Sequence, residues 1–195
     1  GKPTLTVYNW GDYIGEDVIE KFEDQYDCKV NYEMFEQNED MYTKLKTVEN
    51  TYDVVIPSDY MIERMINEGM LEELNKENIP NLEHIISYCL DRDFDPGNVY
   101  SVPYMWGTVG IIYNTTMVDE PITGWKDLWD EKYEKNLFMM NSVRDSMGIA
   151  LILCGYDMNS RDPEEIEEAK NKLIEQKPLV LAYTGDEVKD KMVAG

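Results

Sequence analysis

Residues 5–32 decide the fold of this chain, and they read LTVYNWGDYIGEDVIEKFEDQYDCKVNY. The run Leu5–Tyr8 is rich in residues that favour strands, and it ends at the polar and aromatic stretch that begins with Asn9. Apolar side chains then recur at helical spacing up to Tyr26, and Lys29–Tyr32 has the composition of a second strand. A strand, a helix and another strand in this order predict two parallel strands joined by a crossover helix.

The same alternation continues along the chain. Asn38 predicts a helix cap, and apolar side chains at helical spacing follow it as far as Val48. Tyr52–Ile56 is apolar enough to predict a strand that is buried on both faces, and Pro57 ends it. A further helix ends at Gly69. Strands that alternate with helices in this way indicate an α/β fold with a parallel sheet.

The second half of the chain repeats the pattern after an irregular stretch, Asn75–Pro103, which several Pro and Gly residues interrupt. The apolar run Tyr104–Asn114 predicts a strand that leads out of the first lobe. Beyond it we expect a strand at Leu137–Met140, a helix capped by Asp162, a further strand at Leu179–Tyr183 and a last helix that begins near Asp186. Residues 1–113 are therefore predicted to form a first α/β lobe, and residues 114–195 a partial second α/β lobe.

The charge of the chain restricts its partners. Its 195 residues include 18 Lys or Arg and 40 Asp or Glu, which gives a formal net charge of −22 at pH 7. Phosphate backbones and anionic lipid surfaces bind through Lys and Arg, so this balance argues against nucleic acids and anionic membranes as partners. Cationic partners are favoured, although a highly soluble acidic surface explains the same charge without any partner.

Residues suited to metal binding or nucleophilic catalysis are few. The single histidine, His84, has no nucleophile motif to accompany it. Residues 91–95 begin like a calcium loop, but Pro96 stands where glycine is needed and Val102 stands where a bidentate glutamate belongs. We therefore interpret this segment as an acidic surface loop, and we expect neither a metal nor a cofactor.

The sequence also bears on the compartment. The three cysteines, Cys28, Cys89 and Cys154, are far apart and odd in number, which argues against a disulfide framework. The chain has no apolar run of membrane-spanning length and no basic-then-apolar leader at its start. We expect either a cytoplasmic protein or the mature part of a protein whose leader has been removed.

Aromatic and acidic side chains follow two of the predicted strands. Trp10, Asp12 and Tyr13 come after the first strand, and Ser58-Asp59-Tyr60 comes after the third. Open α/β sheets bind their ligands at the carboxyl ends of strands. Aromatic faces attract an organic cation and carboxylates neutralise it, so this pattern favours an organic-cation site. Aromatic residues in loops also pack onto the core of their own domain, and this alternative stays open.

Several motifs, taken in order along the chain, resemble one bacterial family. They are Val7–Ile14, Tyr42–Thr47, Tyr52–Ser58, Gly69–Leu71, Phe94–Pro96, Tyr100–Gly107 and Trp125–Trp129. Together they resemble bacterial spermidine/putrescine-binding proteins, which capture the substrates of polyamine ABC importers. Related iron- and sugar-binding proteins share the fold, and it is the joint order of the motifs that indicates polyamine binders.

The resemblance implies a two-lobed periplasmic-binding-protein fold of type II, with the ligand in the cleft between the lobes. In the first lobe, the positions that match ligand contacts of the family are Trp10, Gly11, Asp12 and Tyr13 at one strand end, and Ser58 and Tyr60 at the other. In the second lobe, Ser142 and Asp145 align with a segment where spermidine binders carry two acids. Asp145 keeps the second acid, and Ser142 replaces the first.

The resemblance also implies a function and a location. The chain is expected to be a non-enzymatic, extracytoplasmic component, periplasmic or lipid-anchored on the outer face of the cell membrane, whose closure on a polyamine signals to a membrane permease. Complete family members are longer, so we expect the second lobe to be incomplete in this chain and the chain to self-associate. Two alternatives are a binder of another organic cation or small solute on the same fold, and an acid/base hydrolase that uses Asp12 and Asp145. The single histidine and the lack of metal or phosphate motifs argue against the hydrolase.

Overall fold

The computed structural model describes residues 1–48 and 51–195, which divide into two compact units, Gly1–Trp106 and Gly107–Gly195. The division falls after Trp106, whereas the sequence places the end of the first lobe after residue 113. The boundary based on the sequence stays a prediction. Both positions lie within the apolar run Tyr104–Asn114.

The first unit is built on a parallel three-stranded sheet. Its strands are β1 (Thr4–Trp10), β2 (Lys29–Phe35) and β3 (Val54–Val55), and its helices are α1 (Val18–Tyr26), α2 (Asn38–Thr47) and α3 (Asp59–Asn67). The strand order β2-β1-β3 places β1 in the centre, with Thr4 opposite Lys29 and Val7 opposite Val54. Because all three strands are parallel, their carboxyl ends lie at the same edge of the sheet.

The core of the first unit lies between this sheet and two of the helices. Its buried side chains are Tyr8, Phe35, Met41, Tyr42, Met61 and Met65. They come from β1, β2, α2 and α3, whereas α1 contains no buried residue. Burial of apolar side chains of this size stabilises a domain by roughly 1.5–3 kcal/mol each, so α2 and α3 are fixed on the sheet more firmly than α1 is.

Two predictions for the first unit were wrong. The third strand has two residues instead of the predicted Tyr52–Ile56, and Val54 is 42% exposed, so the strand is not buried on both faces. Its partner among the described residues is β1 alone, and an edge strand has one uncovered side. Asn38 is the first residue of α2 rather than its cap, which is Gln37. The buried Asn38 side chain instead bonds to Ser58 after β3.

The segment between α3 and the end of the first unit forms 3-10 turns at Lys76–Asn78, Pro80–His84, Ser87–Cys89 and Pro96–Asn98. Asp95 lies at the last of these turns and is 2% exposed. Its carboxylate accepts hydrogen bonds from the backbone N–H groups of Val99, Tyr100 and Ser101 and from the Ser101 hydroxyl. The interpretation of residues 91–95 as a surface loop is therefore wrong at Asp95, because this buried carboxylate organises the turn that follows it.

The apolar run Tyr104–Asn114 is not a strand, contrary to the prediction. In the part of the chain that the structure describes, no strand pairs with it. Trp106 and Ile112 are largely exposed, and Gly107 and Gly110 interrupt the run. An apolar run without a neighbouring strand cannot complete the backbone hydrogen bonds of a sheet, so composition alone does not make it a strand.

The second unit contains a parallel pair of strands, β4 (Leu137–Met140) and β5 (Val180–Thr184), in which Leu137 lies opposite Val180 and Met140 opposite Thr184. Its helices are α4 (Val143–Leu153), α5 (Pro163–Gln176) and α6 (Val188–Ala194), with 3-10 turns at Trp125–Trp129, Glu131–Tyr133 and Lys177–Leu179. The bounds of β4 are those predicted, and β5 and α6 begin slightly later than predicted. Asp162 caps α5 as predicted, because its carboxylate accepts the N–H of Glu164 at 2.8 Å.

The second unit has two small cores. One contains Leu137, Met139, Ile149 and Val180, and the other contains Ala150, Leu151 and Ala169, which belong to α4 and α5. Gln176, the last residue of α5, is completely buried, and its amide donates a hydrogen bond to the Leu128 carbonyl in the turn Trp125–Trp129 at 2.9 Å. None of the helices in residues 1–48 and 51–195 has the length and apolar character needed to cross a membrane.

Candidate ligand-binding site

The carboxyl ends of β1, β2 and β3 meet at one edge of the first sheet, which we call the first edge and define by residues 10–13, 35–39 and 58–60. Because β1 is the central strand, the loop that follows it lies between the loops that follow β2 and β3. The first edge therefore brings the predicted residues of the first unit to one surface. These residues are Trp10, Gly11, Asp12, Tyr13, Ser58 and Tyr60.

The loop after β1 is a tight turn with an unusual backbone. Asp12 is exposed and has a φ of 50°, in the left-handed region that few residues other than glycine adopt. Asn9 is 1% exposed and spans the turn. Its Oδ1 accepts a hydrogen bond from the Trp10 N–H at 2.8 Å, and its Nδ2 donates to the Tyr13 carbonyl at 3.5 Å. The buried Asn9 side chain thus contacts both ends of the turn that carries Asp12.

A second group contacts the same turn from elsewhere in the first unit. The Tyr104 hydroxyl donates a hydrogen bond to the Tyr13 carbonyl. The ring centroids of Tyr13 and Tyr104 lie 5.4 Å apart, in an edge-to-face arrangement. Such ring pairs add roughly 0.5–1.5 kcal/mol beyond the area they bury. Tyr13 is therefore fixed at its carbonyl and at its ring by one residue that lies 91 positions away.

Trp10 contributes both to the first edge and to the core. It is half-buried at the end of β1, and its ring centroid lies 4.4 Å from that of Phe35 on β2. It packs against the core cluster of the first unit. The alternative that loop aromatics pack onto their own domain therefore applies to part of this ring, and the remainder of its surface is open at the edge.

The loops after β2 and β3 are joined by two pairs of side chains. The Ser58 N–H donates to Asn38 Oδ1 at 2.9 Å, and the Ser58 hydroxyl accepts from Asn38 Nδ2 at 3.0 Å. The Tyr60 hydroxyl donates to the Glu39 carboxylate at 2.8 Å. Both predicted residues after β3 are thus bound to the start of α2. Glu39 places a half-buried carboxylate at the first edge, in contact with Tyr60.

The second unit has a corresponding edge, which we define by residues 141–146 and 184–187 and call the second edge. The Asn141 N–H donates to the Thr184 carbonyl at 2.9 Å, which joins the ends of β4 and β5. Ser142 is the N-cap of α4, and its hydroxyl accepts from the Asp145 N–H at 3.4 Å. The half-buried Asp145 carboxylate lies in the first helical turn, where the partial positive charge of the helix favours an anion.

Sequence reasoning did not identify three residues that the structure connects to the predicted ones. They are Asn9, Glu39 and Tyr104. Asn9 and Tyr104 lie within the motifs Val7–Ile14 and Tyr100–Gly107, and Glu39 follows a strand end, which is the signal that would have found it. The roles of Ser142 and Asp145 in a ligand site stay predictions, as do those of the first-edge residues. No group of three potential metal ligands occurs in the described residues.

Comparison with known proteins gives consistent matches. The family model described as bacterial extracellular solute-binding protein matches residues 17–195. The spermidine/putrescine-binding periplasmic protein of Salmonella typhimurium is 39% identical over 185 residues, which cover 94% of this chain and 53% of the relative. This chain thus spans about half the length of the curated relatives that it matches.

Solved structures match over the same range. A structure described as a spermidine/putrescine ABC transporter from Listeria monocytogenes has a TM-score of 0.94 and 38% identity, over 98% of this chain and 60% of its own. The Tp0655 lipoprotein of Treponema pallidum has a TM-score of 0.88 and 31% identity, over 98% of this chain and 60% of its own. The expected fold, a two-lobed periplasmic-binding-protein type with the second lobe incomplete, is confirmed, and so is the resemblance on which it rested.

Proposed function

The chain belongs to the bacterial extracellular solute-binding protein family, and from this premise we propose that it provides the polyamine-capturing residues of an ABC importer's binding component. The proposal takes its substrate class from relatives whose names specify spermidine and putrescine. It concerns the protein that contains this chain, because the chain spans about half of those relatives.

One observation carries the proposal. The first edge joins three aromatic residues, Trp10, Tyr13 and Tyr60, with the carboxylates of Asp12 and Glu39. A polyamine is a flexible chain of methylene groups with ammonium groups at intervals. Aromatic rings cover the methylene groups and attract the ammonium groups, while carboxylates accept charge-assisted hydrogen bonds from them. The second edge carries groups of the same kind, the Asp145 carboxylate and the Ser142 hydroxyl.

The chain already uses this chemistry for one of its own amines. The Lys44 ammonium lies 5.0 Å from the ring centroid of Tyr8 and 5.5 Å from that of Tyr52, and 2.9 Å from the Glu33 carboxylate. Hydrogen bonds with Tyr52 and Glu33 raise the pKa of Lys44, and those with Tyr52 and Lys44 lower the pKa of Glu33. The Tyr52 hydroxyl and the Glu33 carboxylate therefore favour the charged form of a primary amine that also lies near two aromatic rings.

A binding role rather than a catalytic one fits the same residues. The named relatives are solute-binding proteins, and they are periplasmic proteins or a lipoprotein. We therefore place the function outside the cytoplasm, in the periplasm or on a lipid anchor at the outer face of the membrane. A ligand that contacts both lobes shifts them toward closure by its differential affinity, and the closed form is the signal to a membrane permease.

Titration calorimetry of the protein that contains this chain tests the proposal. Putrescine, spermidine and spermine are the ligands, with glutamate and a simple monoamine as controls. We expect heat with at least one polyamine, weaker binding as NaCl is raised, and none with glutamate, because exposed charges are screened by salt. Binding of the monoamine alone favours the alternative of another organic cation, and no binding of any amine contradicts the proposal.

Self-association of the 195-residue chain by itself is a separate part of the proposal. Large apolar side chains are exposed in both units, for example Trp106 at 66%, Ile112 at 79% and Val193 at 90%. Exposed apolar surface of this kind favours pairing with another chain. Sedimentation velocity of the 195-residue chain at increasing concentration should show dimers or larger species, and a monomer at all concentrations contradicts this part.

A further inference from the structure

The turn after β1 combines a left-handed backbone conformation with two independent tethers. Asp12 adopts a φ of 50°, in a sparsely populated region that aspartate enters more readily than most residues other than glycine. Such a conformation persists only where its surroundings fix it. Asn9 Oδ1 and Nδ2 bond to the Trp10 N–H and the Tyr13 carbonyl, and the Tyr104 hydroxyl bonds to that same carbonyl.

The surroundings of Asn9 include a buried hydroxyl on the neighbouring strand. The Tyr32 hydroxyl makes no hydrogen bond of ordinary geometry within the described residues. Burial raises the pKa of Tyr32, and its interaction with the Asn9 side chain lowers it. The Asn9 side chain therefore lies against Tyr32 on β2 and also bonds to the two ends of the turn. Asn9 thus connects the turn to the sheet.

We propose that Asn9 and Tyr104 are positioning residues, which contact no ligand themselves and hold the Trp10–Tyr13 turn in the conformation that binds it. The inference rests on the proposed function for the identity of the ligand. Its physical basis is preorganisation: a turn that is fixed before binding loses less conformational freedom when the ligand arrives. Asn9 fixes the turn from within the sheet. Tyr104 fixes it from the segment that ends the first unit at Trp106.

Tyr104→Phe is the main test, because it removes the hydroxyl and keeps the ring that contacts Tyr13. Tyr104 is 47% exposed, so the substitution leaves the core intact. Tyr88→Phe is the matched control, since Tyr88 is an exposed tyrosine of the same unit whose ring lies against Trp106. We expect Tyr104→Phe to raise the Kd for spermidine by about three- to tenfold, the worth of one neutral hydrogen bond, and Tyr88→Phe to leave it unchanged.

Amide hydrogen exchange of the unliganded protein gives a readout that does not depend on the ligand. We expect faster exchange at residues 11–14 in Tyr104→Phe, and a larger increase in Asn9→Ser, with unchanged exchange in α5. The exchange of Asn9→Ser is interpreted only if its thermal unfolding stays cooperative. If it does not, the exchange of Tyr104→Phe alone tests the inference. If the wild-type protein binds no polyamine, the proposed function fails while the exchange comparison still tests the two tethers. Unchanged exchange, or a Kd shifted equally by both Tyr→Phe variants, overturns the inference.

Discussion

Two serines occupy corresponding places in the two units and are used differently. Ser58 and Ser142 each follow a strand and stand at the N-cap of the next helix. The Ser142 hydroxyl accepts the Asp145 N–H and so caps its own helix, α4. The Ser58 hydroxyl makes no cap bond and instead accepts from Asn38, at the start of a different helix. The predicted residues Ser58 and Tyr60 at the first edge thus bond to another element, whereas the predicted residues Ser142 and Asp145 at the second edge bond to each other within one helix.

This difference determines how far the effect of a substitution spreads. At the first edge, Tyr60 depends on Glu39 and Ser58 on Asn38, while Tyr13 depends on Tyr104. Losing one partner there alters the placement of a residue on another loop. At the second edge, Asp145 is placed by the geometry of α4, and a substitution acts on that residue or on that helical turn.

The largest expected effect is on affinity at the second edge. Asp145→Asn should raise the Kd for spermidine by about tenfold or more, because a hydrogen bond to a charged group contributes roughly 1.5–3 kcal/mol. Asp12→Asn should have a smaller effect, since Asp12 is exposed and its charge is screened more. Titration calorimetry measures both. Asp24→Asn and Asp119→Asn, which remove exposed carboxylates outside the two edges, serve as controls.

An unchanged Kd for Asp145→Asn would remove that residue from the proposed site. A larger effect from Asp12 than from Asp145 would mean that the ligand charge is neutralised mainly at the first edge. In either case, the Kd of Glu39→Gln identifies whether the first edge supplies a second carboxylate.

Trp10→Ala is expected to have the next largest effect, and it acts on stability and affinity together. The ring is half-buried against Phe35, so its removal should lower the free energy of unfolding by about 2 kcal/mol, less than for a fully buried tryptophan. Urea unfolding followed by circular dichroism measures this loss. Trp10→Phe should recover most of the stability, because it refills the contact with Phe35. Any loss of affinity that remains in Trp10→Phe is then due to the part of the Trp10 ring that lies at the first edge.

The sequence predicted what depends on neighbouring residues. Four apolar residues bounded by polar ones set the limits of β4, and Asp162 before Pro163 set the start of α5, because strand composition and capping act over a few residues. The motifs that identified the family are likewise short runs of neighbouring residues, taken in order along the chain. The third strand was predicted too long, because its length depends on β1 being its one partner among the described residues.

The connections of the first edge could not be predicted, since they depend on strand order. In the order β2-β1-β3, β2 and β3 both border β1, and the Tyr60 hydroxyl after β3 bonds to the Glu39 carboxylate after β2. The sequence separates these two residues by 21 positions and gives no sign of the contact. Asn38 was predicted as a cap for the same reason. Its local pattern suits a cap, and its actual bonds go to Ser58.

The two serines give a smaller effect that tests the comparison directly. Ser142→Ala should lower the free energy of unfolding by about 1 kcal/mol, the usual worth of an N-cap. A double-mutant cycle of Ser58→Ala with Asn38→Ala should show a coupling energy of about 1 kcal/mol, because the two side chains share their bonds. A cycle of Ser142→Ala with Thr184→Val should show no coupling. Equal coupling in both cycles would mean that the two edges are built alike.

The smallest expected effect is on the pH dependence of the free energy of unfolding. In the first unit this dependence comes from a carboxyl group whose pKa is lowered, and in the second unit from a tyrosine whose pKa is raised. In the first unit, Glu68 joins α2 and α3, and hydrogen bonds from Lys46, Tyr42 and Arg64 lower its pKa from 4.5 to about 2. This contribution to stability is present above pH 4.5 and is lost as the pH falls toward 2. In the second unit, the Glu168 carboxylate raises the pKa of Tyr156 from 10.0 to about 12. That contribution is present below pH 10 and is lost as the pH rises toward 12.

Urea unfolding of the Glu68→Gln and Tyr156→Phe variants should reveal this asymmetry. Glu68→Gln should be less stable than the wild type at pH 7 and should approach it near pH 2.5, where the wild-type carboxylate is losing its charge. Tyr156→Phe should differ from the wild type at pH 7 and less above pH 11. Both groups are exposed to solvent, which screens their interactions, so both differences should be small and should shrink further in high salt. Glu73→Gln, at an exposed glutamate of the first unit, is the control, and a Glu68→Gln difference that stays constant with pH contradicts the role given to its charge.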